Sequence, residues 1–290
     1  MKAAVPTIAV PTSVSTSTAV DALLVDVVRL AQQVSAQLRV FYADPALLDI
    51  QQKADESPVT AADLAAHQMI ELALAALTPD VPVLSEESAD LSERHLWSRF
   101  WLVDPLDGTK EFIQRTGEFT VNIALIEQGR AVLAVIAVPV RHEVYAVAAG
   151  QVWRIDAQSI WHAVVAQSTA PTVWRLAMSR RAKQPAYAQF LQRLTQRGQA
   201  YTTVEAGSAY KFCLMVTGEI DVYPRLHPTS EWDTAAGQAL LEALGGGLFD
   251  VQGRPFVYNQ RATLLNGAFI ALRCASDLPQ VCCDLSASEH

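Results

Sequence analysis

Apolar residues recur at helical spacing in two early stretches of the chain. The first runs from Val20 to Leu38 at intervals of three and four residues, which places these side chains on one face of an amphipathic helix. The second follows Thr60-Ala61-Ala62-Asp63, which has the form of a capping box, and it ends before Pro79. Both stretches predict helices that pack against a core.

Short apolar runs follow these helices, and each run ends in polar or turn residues. They predict strands of a mainly antiparallel sheet at residues 81–84, 100–103, 120–126 and 131–138. From about Arg175 the pattern becomes an alternation typical of an α/β layer. It predicts strands at 176–178, 202–204 and 220–223, and helices at 185–195, from Ser208 onward and at 233–244.

The predicted fold is therefore an α+β half followed by an α/β half. We place the first half, which contains most of the acidic residues that could bind metal ions, at 19–165. The second half, at 166–275, would close that site. The boundary lies near 160–172, where Ser168, Thr169 and Pro171 interrupt the pattern. Residues 1–18 and 276–290 are predicted to be flexible ends.

Composition excludes several classes of protein. The chain has 290 residues, of which 51% are hydrophobic, enough for a sizeable core. A net charge of -8 without a basic cluster argues against binding a nucleic-acid polymer. No apolar run is long enough to span a membrane, and the N-terminus lacks the apolar region of a signal peptide. Four cysteines without metal-ligand spacing suggest reduced thiols, so we expect a cytoplasmic protein.

Acidic residues stand where the predicted strands end. Glu86 follows the first strand, Asp104 and Asp107 follow the next, and Asp233 opens a predicted helix. Four converging carboxylates would repel one another unless cations neutralise them. All-oxygen ligation suits Mg²⁺, and two such ions can activate water and polarise a phosphoryl group. The set therefore predicts hydrolysis of a phosphate monoester.

The residues after Asp107 supply further candidate groups. Gly108 permits close approach of the backbone to a phosphate, and the N–H groups near Thr109 favour anions. The Thr109 hydroxyl could orient the attacking water, with Asp63 as its base or hydrogen-bond partner. Lys110 is interpreted equally well as a phosphate contact or as an ordinary charge at a helix start.

Each acidic residue also has a purely structural interpretation when taken alone. Asp104-Pro105 and Asp107-Gly108 are common turn dipeptides. Asp63 could be part of a helix cap, Glu86 a solvated charge and Asp233 an N-cap. The combination of all of them favours the functional interpretation.

The motifs together resemble the inositol monophosphatase superfamily, and within it the bacterial 3'(2'),5'-bisphosphate nucleotidases. The similarity runs from about residue 20 to 272. It rests on Ser57-Pro58-Val59-Thr60-Ala61-Ala62-Asp63, Leu84-Ser85-Glu86-Glu87-Ser88, Asp104-Pro105-Leu106-Asp107-Gly108-Thr109-Lys110-Glu111-Phe112, Gly117-Glu118-Phe119-Thr120-Val121-Asn122-Ile123, Lys211-Phe212-Cys213 and Trp232-Asp233-Thr234-Ala235-Ala236-Gly237.

The resemblance implies a layered αβαβα phosphatase fold. It also implies hydrolysis of adenosine 3',5'-bisphosphate to AMP and phosphate with two or three Mg²⁺ ions, in support of sulfate assimilation, and inhibition by Li⁺. The matching positions of this sequence then correspond to the family's metal ligands, water-activating residues and substrate contacts. Glu86, Asp104 and the Leu106 carbonyl would bind one ion, and Asp104, Asp107 and Asp233 the second. Glu86, Thr109 and Asp63 would act in catalysis, and the substrate would contact Asp107, Gly108, Thr109, Lys110, Gly207, Ser208, Lys211 and Asp233.

Three alternatives share part of this signature. An inositol monophosphatase would use the same metal ligands with a different leaving-group pocket. Fructose-1,6-bisphosphatase fits the 208–211 region less well, and a non-catalytic phosphonucleotide sensor would be expected to lack a ligand. The oligomeric state, monomer or homodimer, and peripheral attachment to the inner membrane face are left open by the sequence.

Overall fold

The computed structural model describes residues 21–52, 58–88, 92–166, 171–178 and 185–279. The predicted flexible ends at 1–18 and 280–290 lie outside these ranges. Residues 276–279 of the predicted tail are described. The first two of them belong to a short 3-10 helix, Ala275–Asp277. Among the described helices, none combines the length and the apolar character that crossing a bilayer requires.

The described ranges contain helices of very different length. In chain order they are α1 Ala22–Ala43, α2 Ala61–Leu77, α3 Thr109–Ile113, α4 Pro185–Gln196, α5 Tyr210–Val216 and α6 Ala235–Ala243. The strands are β1 Gln51–Gln52, β2 Pro58–Val59, β3 Val83–Ser85, β4 Arg99–Asp107, β5 Thr120–Glu127, β6 Arg130–Val138, β7 Glu143–Ala148, β8 Gln151–Ile155, β9 Trp161–Val164, β10 Val173–Met178, β11 Ala200–Glu205, β12 Val222–Arg225, β13 Thr229–Ser230, β14 Gly247–Asp250, β15 Leu265–Asn266 and β16 Phe269–Leu272.

Two large sheets organise the chain. Strands β3 to β9 form a seven-stranded sheet in sequence order, in which β3 and β4 are parallel and every other pair is antiparallel. Five strands form the second sheet in the order β11-β10-β12-β16-β14. The change of sheet falls between Val164 and Val173, and the division at 19–165 and 166–275 stays a prediction.

Five layers result because both sheets are covered on both faces. Helices α1 and α2 pack on one face of the seven-stranded sheet, α5 and α6 fill the space between the sheets, and α4 covers the far face of the five-stranded sheet. In β4, Trp101 and Val103 join the α1–α2 side, whereas Phe100 and Leu102 face α5 and α6. The predicted αβαβα architecture is confirmed.

Most predicted elements are present, with shifted ends. Helix α2 has the predicted cap: the Asp63 carboxylate accepts a hydrogen bond of 2.8 Å from the Thr60 N–H. The mainly antiparallel sheet is confirmed, but the sequence pattern missed β7, β8 and β9. Strand β9 lies at the sheet edge and carries the exposed His162, which obscures the strand pattern there.

Two predicted helix starts were wrong. The helix expected from Ser208 begins at Tyr210, because Ser208 adopts a positive φ of 47° that is incompatible with a helix. The helix expected from Asp233 begins at Ala235, and Thr234 occupies its N-cap position. Asp233 instead ends a 3-10 turn at Glu231–Asp233.

A buried carboxylate joins the three central strands of the five-stranded sheet, β10, β12 and β16. Asp221 is 2% exposed and accepts hydrogen bonds from Arg175 and Arg273 at 2.8 to 2.9 Å. Burial alone would raise its pKa, but the hydrogen bonds from Arg175 and the positive charges of Arg175 and Arg273 together hold the pKa of Asp221 below its ordinary value.

We expect Asp221→Asn to lower the free energy of unfolding by about 2 kcal/mol at pH 7, because two arginines lose their buried counter-charge. Because the folded-state pKa is depressed, this loss should be full above the unfolded pKa and should disappear as pH falls through the lower folded pKa. Urea unfolding at several pH values measures it. Asp26→Asn is the control, since both Asp26 and its partner Arg29 are only half-buried, and an equal loss there would contradict the interpretation.

Candidate active site

A bulge in β4 places two carboxylates on the same side of the strand. Asp104 lies opposite Asn122 of β5, whereas Asp107 lies opposite Thr120, so three steps along β4 match two along β5. Residues three apart in a regular strand point to opposite faces, and the extra residue of a bulge reverses that relation. Pro105, which has no N–H for the strand ladder, lies within the irregular segment.

Asp233 brings a third carboxylate from the other half of the chain. Its Oδ2 accepts a hydrogen bond of 2.9 Å from the Ser230 N–H, which fixes the side chain on its 3-10 turn. Asp104, Asp107 and Asp233 each offer one oxygen, and these three oxygens lie within 4.8 Å of one another. A single cation could therefore contact all three side chains.

Glu86 lies beside these three carboxylates, and its negative charge acts on Asp104. The residue sits in the turn after β3, and its N–H donates to the Val103 carbonyl at 3.1 Å. Its carboxylate is outside the 4.8 Å group but contributes to raising the pKa of Asp104. The fourth predicted ligand is thus close to the other three.

The carboxylates raise one another's pKa values. Burial, followed by repulsion from Glu86, raises the pKa of Asp104 well above its ordinary value. Burial and the Asp107 charge raise the pKa of Asp233 to about 8. Burial raises the pKa of Asp107 to about 6, although the Lys211 ammonium opposes the rise. Grouped oxygen donors with unbalanced negative charge fit a hard divalent cation.

Asp63 connects helix α2 to the start of α3. Its Oδ1 accepts a hydrogen bond of 3.0 Å from the Thr109 hydroxyl, while its Oδ2 accepts from the Thr60 hydroxyl at 2.6 Å. Both interpretations of Asp63 are thus compatible, because one oxygen caps a helix and the other holds Thr109. Burial raises its pKa, and the hydrogen bonds from Thr60 and Thr109 oppose that rise.

The segment from Asp107 to Lys110 turns sharply at a glycine. Gly108 has a φ of 93°, in the left-handed region, and a Cβ there would lie 3.1 Å from the Ser208 Cβ. The first hydrogen bond of α3 runs from the Phe112 N–H to the Gly108 carbonyl, so the N–H groups of 109–111 precede it. Lys110 is exposed, and both interpretations of it stay open.

The loop before α5 is held against the acidic residues by backbone groups. The Ala209 N–H donates a short hydrogen bond to the Asp107 carboxylate, and the Gly207 N–H donates to Glu118 at 2.8 Å. Gly207 and Ser208, predicted as substrate contacts, therefore lie next to the carboxylates although they are a hundred residues away in sequence.

Lys211 lies in the wall of a small cavity beside this loop. Its ammonium group donates to the Ala206 carbonyl at 3.3 Å and lies 4.9 Å from the centre of the Tyr223 ring. Burial, aided by repulsion from Arg225, lowers the pKa of Lys211 to about 8. Asp107, Ser208, Arg225 and Asp233 also line this cavity of about 30 Å³.

Two residues of the site were not assigned by sequence reasoning. The Asn122 side chain donates to Asp107 at 3.4 Å and accepts a hydrogen bond from Thr120. The Arg225 Nε is buried without a hydrogen-bond partner among the described residues. Asn122 belongs to a motif used for the family resemblance, which was a usable signal, whereas Arg225 at the end of β12 gave none.

These features define a phosphatase-type acidic site, and comparison with known proteins identifies its family. The inositol monophosphatase family model matches residues 19–280, so the chain belongs to that family. Members of the family depend on metal ions, in agreement with the acidic group described above.

Similar proteins carry a more specific name. The 3'(2'),5'-bisphosphate nucleotidase CysQ of Escherichia coli K12 is 44% identical over 248 residues, covering 85% of this chain and 98% of that protein. CysQ of Bacteroides thetaiotaomicron has a crystal structure with a TM-score of 0.73 and 33% identity, covering 86% and 96% of the two chains. The Thermotoga maritima inositol monophosphatase, at 19% identity and a TM-score of 0.73 over 91% and 96%, shares the fold.

We expect Asp104→Asn to stabilise the protein in EDTA, because it removes a carboxylate whose raised folded-state pKa costs stability above the unfolded pKa. The amide retains an oxygen for the Leu106 N–H, which donates to Asp104 at 3.0 Å. Thermal unfolding measures this effect, and 10 mM MgCl₂ should raise the melting temperature of the original protein by several degrees more than that of the variant. Asp80→Asn, at an exposed residue, should behave like the original protein. Equal stabilisation by Mg²⁺ in both proteins would contradict a role for Asp104 in cation binding.

Proposed function

We propose that this protein is a Mg²⁺-dependent 3'(2'),5'-bisphosphate nucleotidase. Its substrate would be adenosine 3',5'-bisphosphate, and the products AMP and inorganic phosphate. The observation that carries the proposal is the convergence of three carboxylates beside a Thr109 hydroxyl that is bonded to Asp63. The substrate class is supported by the names of relatives with up to 44% identity.

The residues that would hold the cations follow from their positions. Glu86, Asp104 and the Leu106 carbonyl would hold one, and Asp104, Asp107 and Asp233 would hold the second. Two or three bound Mg²⁺ ions would lower the pKa of a water molecule and stabilise charge on the phosphoryl oxygens. Mg²⁺ is favoured over softer metals because all of these donors are oxygen atoms.

Thr109 and Asp63 would orient the attacking water. The Thr109 hydroxyl donates a hydrogen bond to Asp63. The Thr109 oxygen is therefore left to accept a hydrogen bond from the water. Thr60 holds the other Asp63 oxygen, which keeps the carboxylate in place. The water would lose one proton and its oxygen would bond to phosphorus as the bond from phosphorus to the 3'-oxygen breaks. The leaving 3'-oxygen would take up one proton, so that AMP and inorganic phosphate form.

The loop before α5 would contact the nucleotide. Gly207 and Ser208 lie beside Asp107, and the cationic Lys211 and Arg225 line the adjoining cavity. Two positively charged side chains, Lys211 and Arg225, suit a substrate that carries more than one phosphate. Gly108 and Lys110 would contribute to holding the reacting phosphate. We place the protein in the cytoplasm, as a monomer or homodimer.

Substrate preference tests the proposal most directly. With Mg²⁺, we expect kcat/KM for phosphate release from adenosine 3',5'-bisphosphate to exceed that from inositol 1-phosphate by on the order of 100-fold. The reason is that the pocket for the leaving group would fit a nucleotide and not an inositol ring. Asp104→Asn serves as the inactive control. Preference for inositol 1-phosphate would indicate an inositol monophosphatase instead, and hydrolysis of neither would favour a non-catalytic sensor.

The role of Thr109 gives a second test. Thr109→Val should lower kcat about 100-fold and leave KM nearly unchanged, because the methyl group keeps the side-chain volume but cannot hold water. Thr109→Ser, which keeps the hydroxyl, should stay within about tenfold of the original rate. Steady-state kinetics with saturating Mg²⁺ measure both variants. A valine variant with full activity would exclude this role.

A further inference from the structure

The turn that carries Glu86 is organised around one buried hydroxyl. Ser85 is 1% exposed, and its Oγ accepts a hydrogen bond from the Glu87 N–H at 3.4 Å. The Ser85 N–H donates to the Ser88 Oγ at 3.1 Å, and the Ser88 N–H returns a bond to the Ser85 carbonyl at 3.0 Å. The position of Glu86 therefore depends on where Ser85 is held.

His67 contacts this hydroxyl from helix α2. Its Nδ1 lies 3.0 Å from the Ser85 Oγ, and its Nε2 lies 3.7 Å from the Glu71 carboxylate. Since Ser85 Oγ already accepts from Glu87, the arrangement that satisfies each group has Ser85 donating to Nδ1 and the imidazole proton on Nε2, facing Glu71. The side chain of His67 is only 14% exposed.

Helix spacing makes α2 a common support for two parts of the site. Asp63 and His67 are four residues apart, so they lie on the same face of the helix. Asp63 holds Thr109, and His67 holds Ser85. A single rigid helix thus sets the distance between the water-orienting threonine and the turn that presents Glu86.

The turn needs such a support because of the charges around it. Glu86 and the neighbouring Asp104, Asp107 and Asp233 repel one another before a cation binds. Repulsion opposes the close approach of the turn to β4. Two bonds maintain that approach: the Glu86 N–H donates to the Val103 carbonyl, and His67 holds Ser85. Groups that hydrogen-bond metal-binding residues directly affect metal affinity by about 10- to 100-fold, and His67 acts on Glu86 one residue further away, through Ser85.

We propose that His67 is a positioning residue: through Ser85 it holds the turn in the place where Glu86 completes the cation site. This inference rests on the proposed function, since it concerns the affinity of the same site for Mg²⁺. His67 touches neither the substrate nor the reacting atoms.

Cation binding without substrate tests the proposal. We expect His67→Ala to raise the dissociation constant for Mg²⁺, measured by calorimetry, at least tenfold. His67→Asn should recover most of the affinity, because its amide oxygen can occupy the place of Nδ1 and accept from Ser85. His67→Gln places its amide near the position of Nε2 and should recover less. Unchanged affinity in His67→Ala, or equal defects in His67→Ala and His67→Asn, would overturn the proposal.

Two further measurements separate positioning from general packing. Ser85→Ala should weaken Mg²⁺ binding, and adding His67→Ala to it should cause little further loss, since both changes remove the same bond. Glu71→Gln is the matched control and should bind Mg²⁺ normally. Fully additive losses from the two changes would overturn the proposal.

Kinetics then distinguish this proposal from the proposed function. For His67→Ala, the Mg²⁺ concentration that gives half-maximal rate should rise at least tenfold, while kcat at saturating Mg²⁺ stays within about threefold. If the original protein binds Mg²⁺ but hydrolyses neither phosphate ester, the proposed function fails and the calorimetric test of His67 still applies. If it hydrolyses the nucleotide and His67→Ala behaves identically, only the positioning role fails.

Discussion

Repulsion between one buried and two half-buried carboxylates is the constraint on which the rest of this site depends. Asp104, Asp107 and Asp233 are held together although burial and mutual repulsion raise their pKa values. Such an arrangement persists only if the backbone around it is fixed by interactions that outweigh the repulsion. These interactions are the hydrogen bonds of three elements around the site: a bulged strand, a capped helix and a 3-10 turn.

The layered architecture provides that rigidity. Strand β4 is apolar on both faces because helices cover both sides of its sheet, and its carboxylates appear only where it becomes irregular. Asp233 and the loop before α5 reach the same place from the second half of the chain. The site therefore lies where β4 meets the loop before α5 and the turn before α6, and its geometry depends on the packing of α5 and α6 between the sheets.

The sequence predicted the elements with strong periodic patterns. The cap at Thr60 and Asp63 and the strands from Phe100 to Val138 could be found because local hydrogen bonding and burial specify them. Strands β7, β8 and β9 were missed, and for β9 the reason is its edge position, which permits polar residues in a strand. The shifted start of α5 reflects the positive φ of Ser208, and that of α6 reflects the 3-10 turn that ends at Asp233.

The sequence by itself determined the class of chemistry, because carboxylates after apolar strands, followed by Gly108 and Thr109, have few other uses together. Tertiary structure decided which groups meet. The bulge brings Asp104 and Asp107 to one side, and the Ala209 N–H reaches Asp107 from a hundred residues away. Neither Arg225 nor the contact of His67 with Ser85 could be read from spacing. Long-range packing brings such groups together, and a local sequence pattern records only what neighbouring residues do to one another.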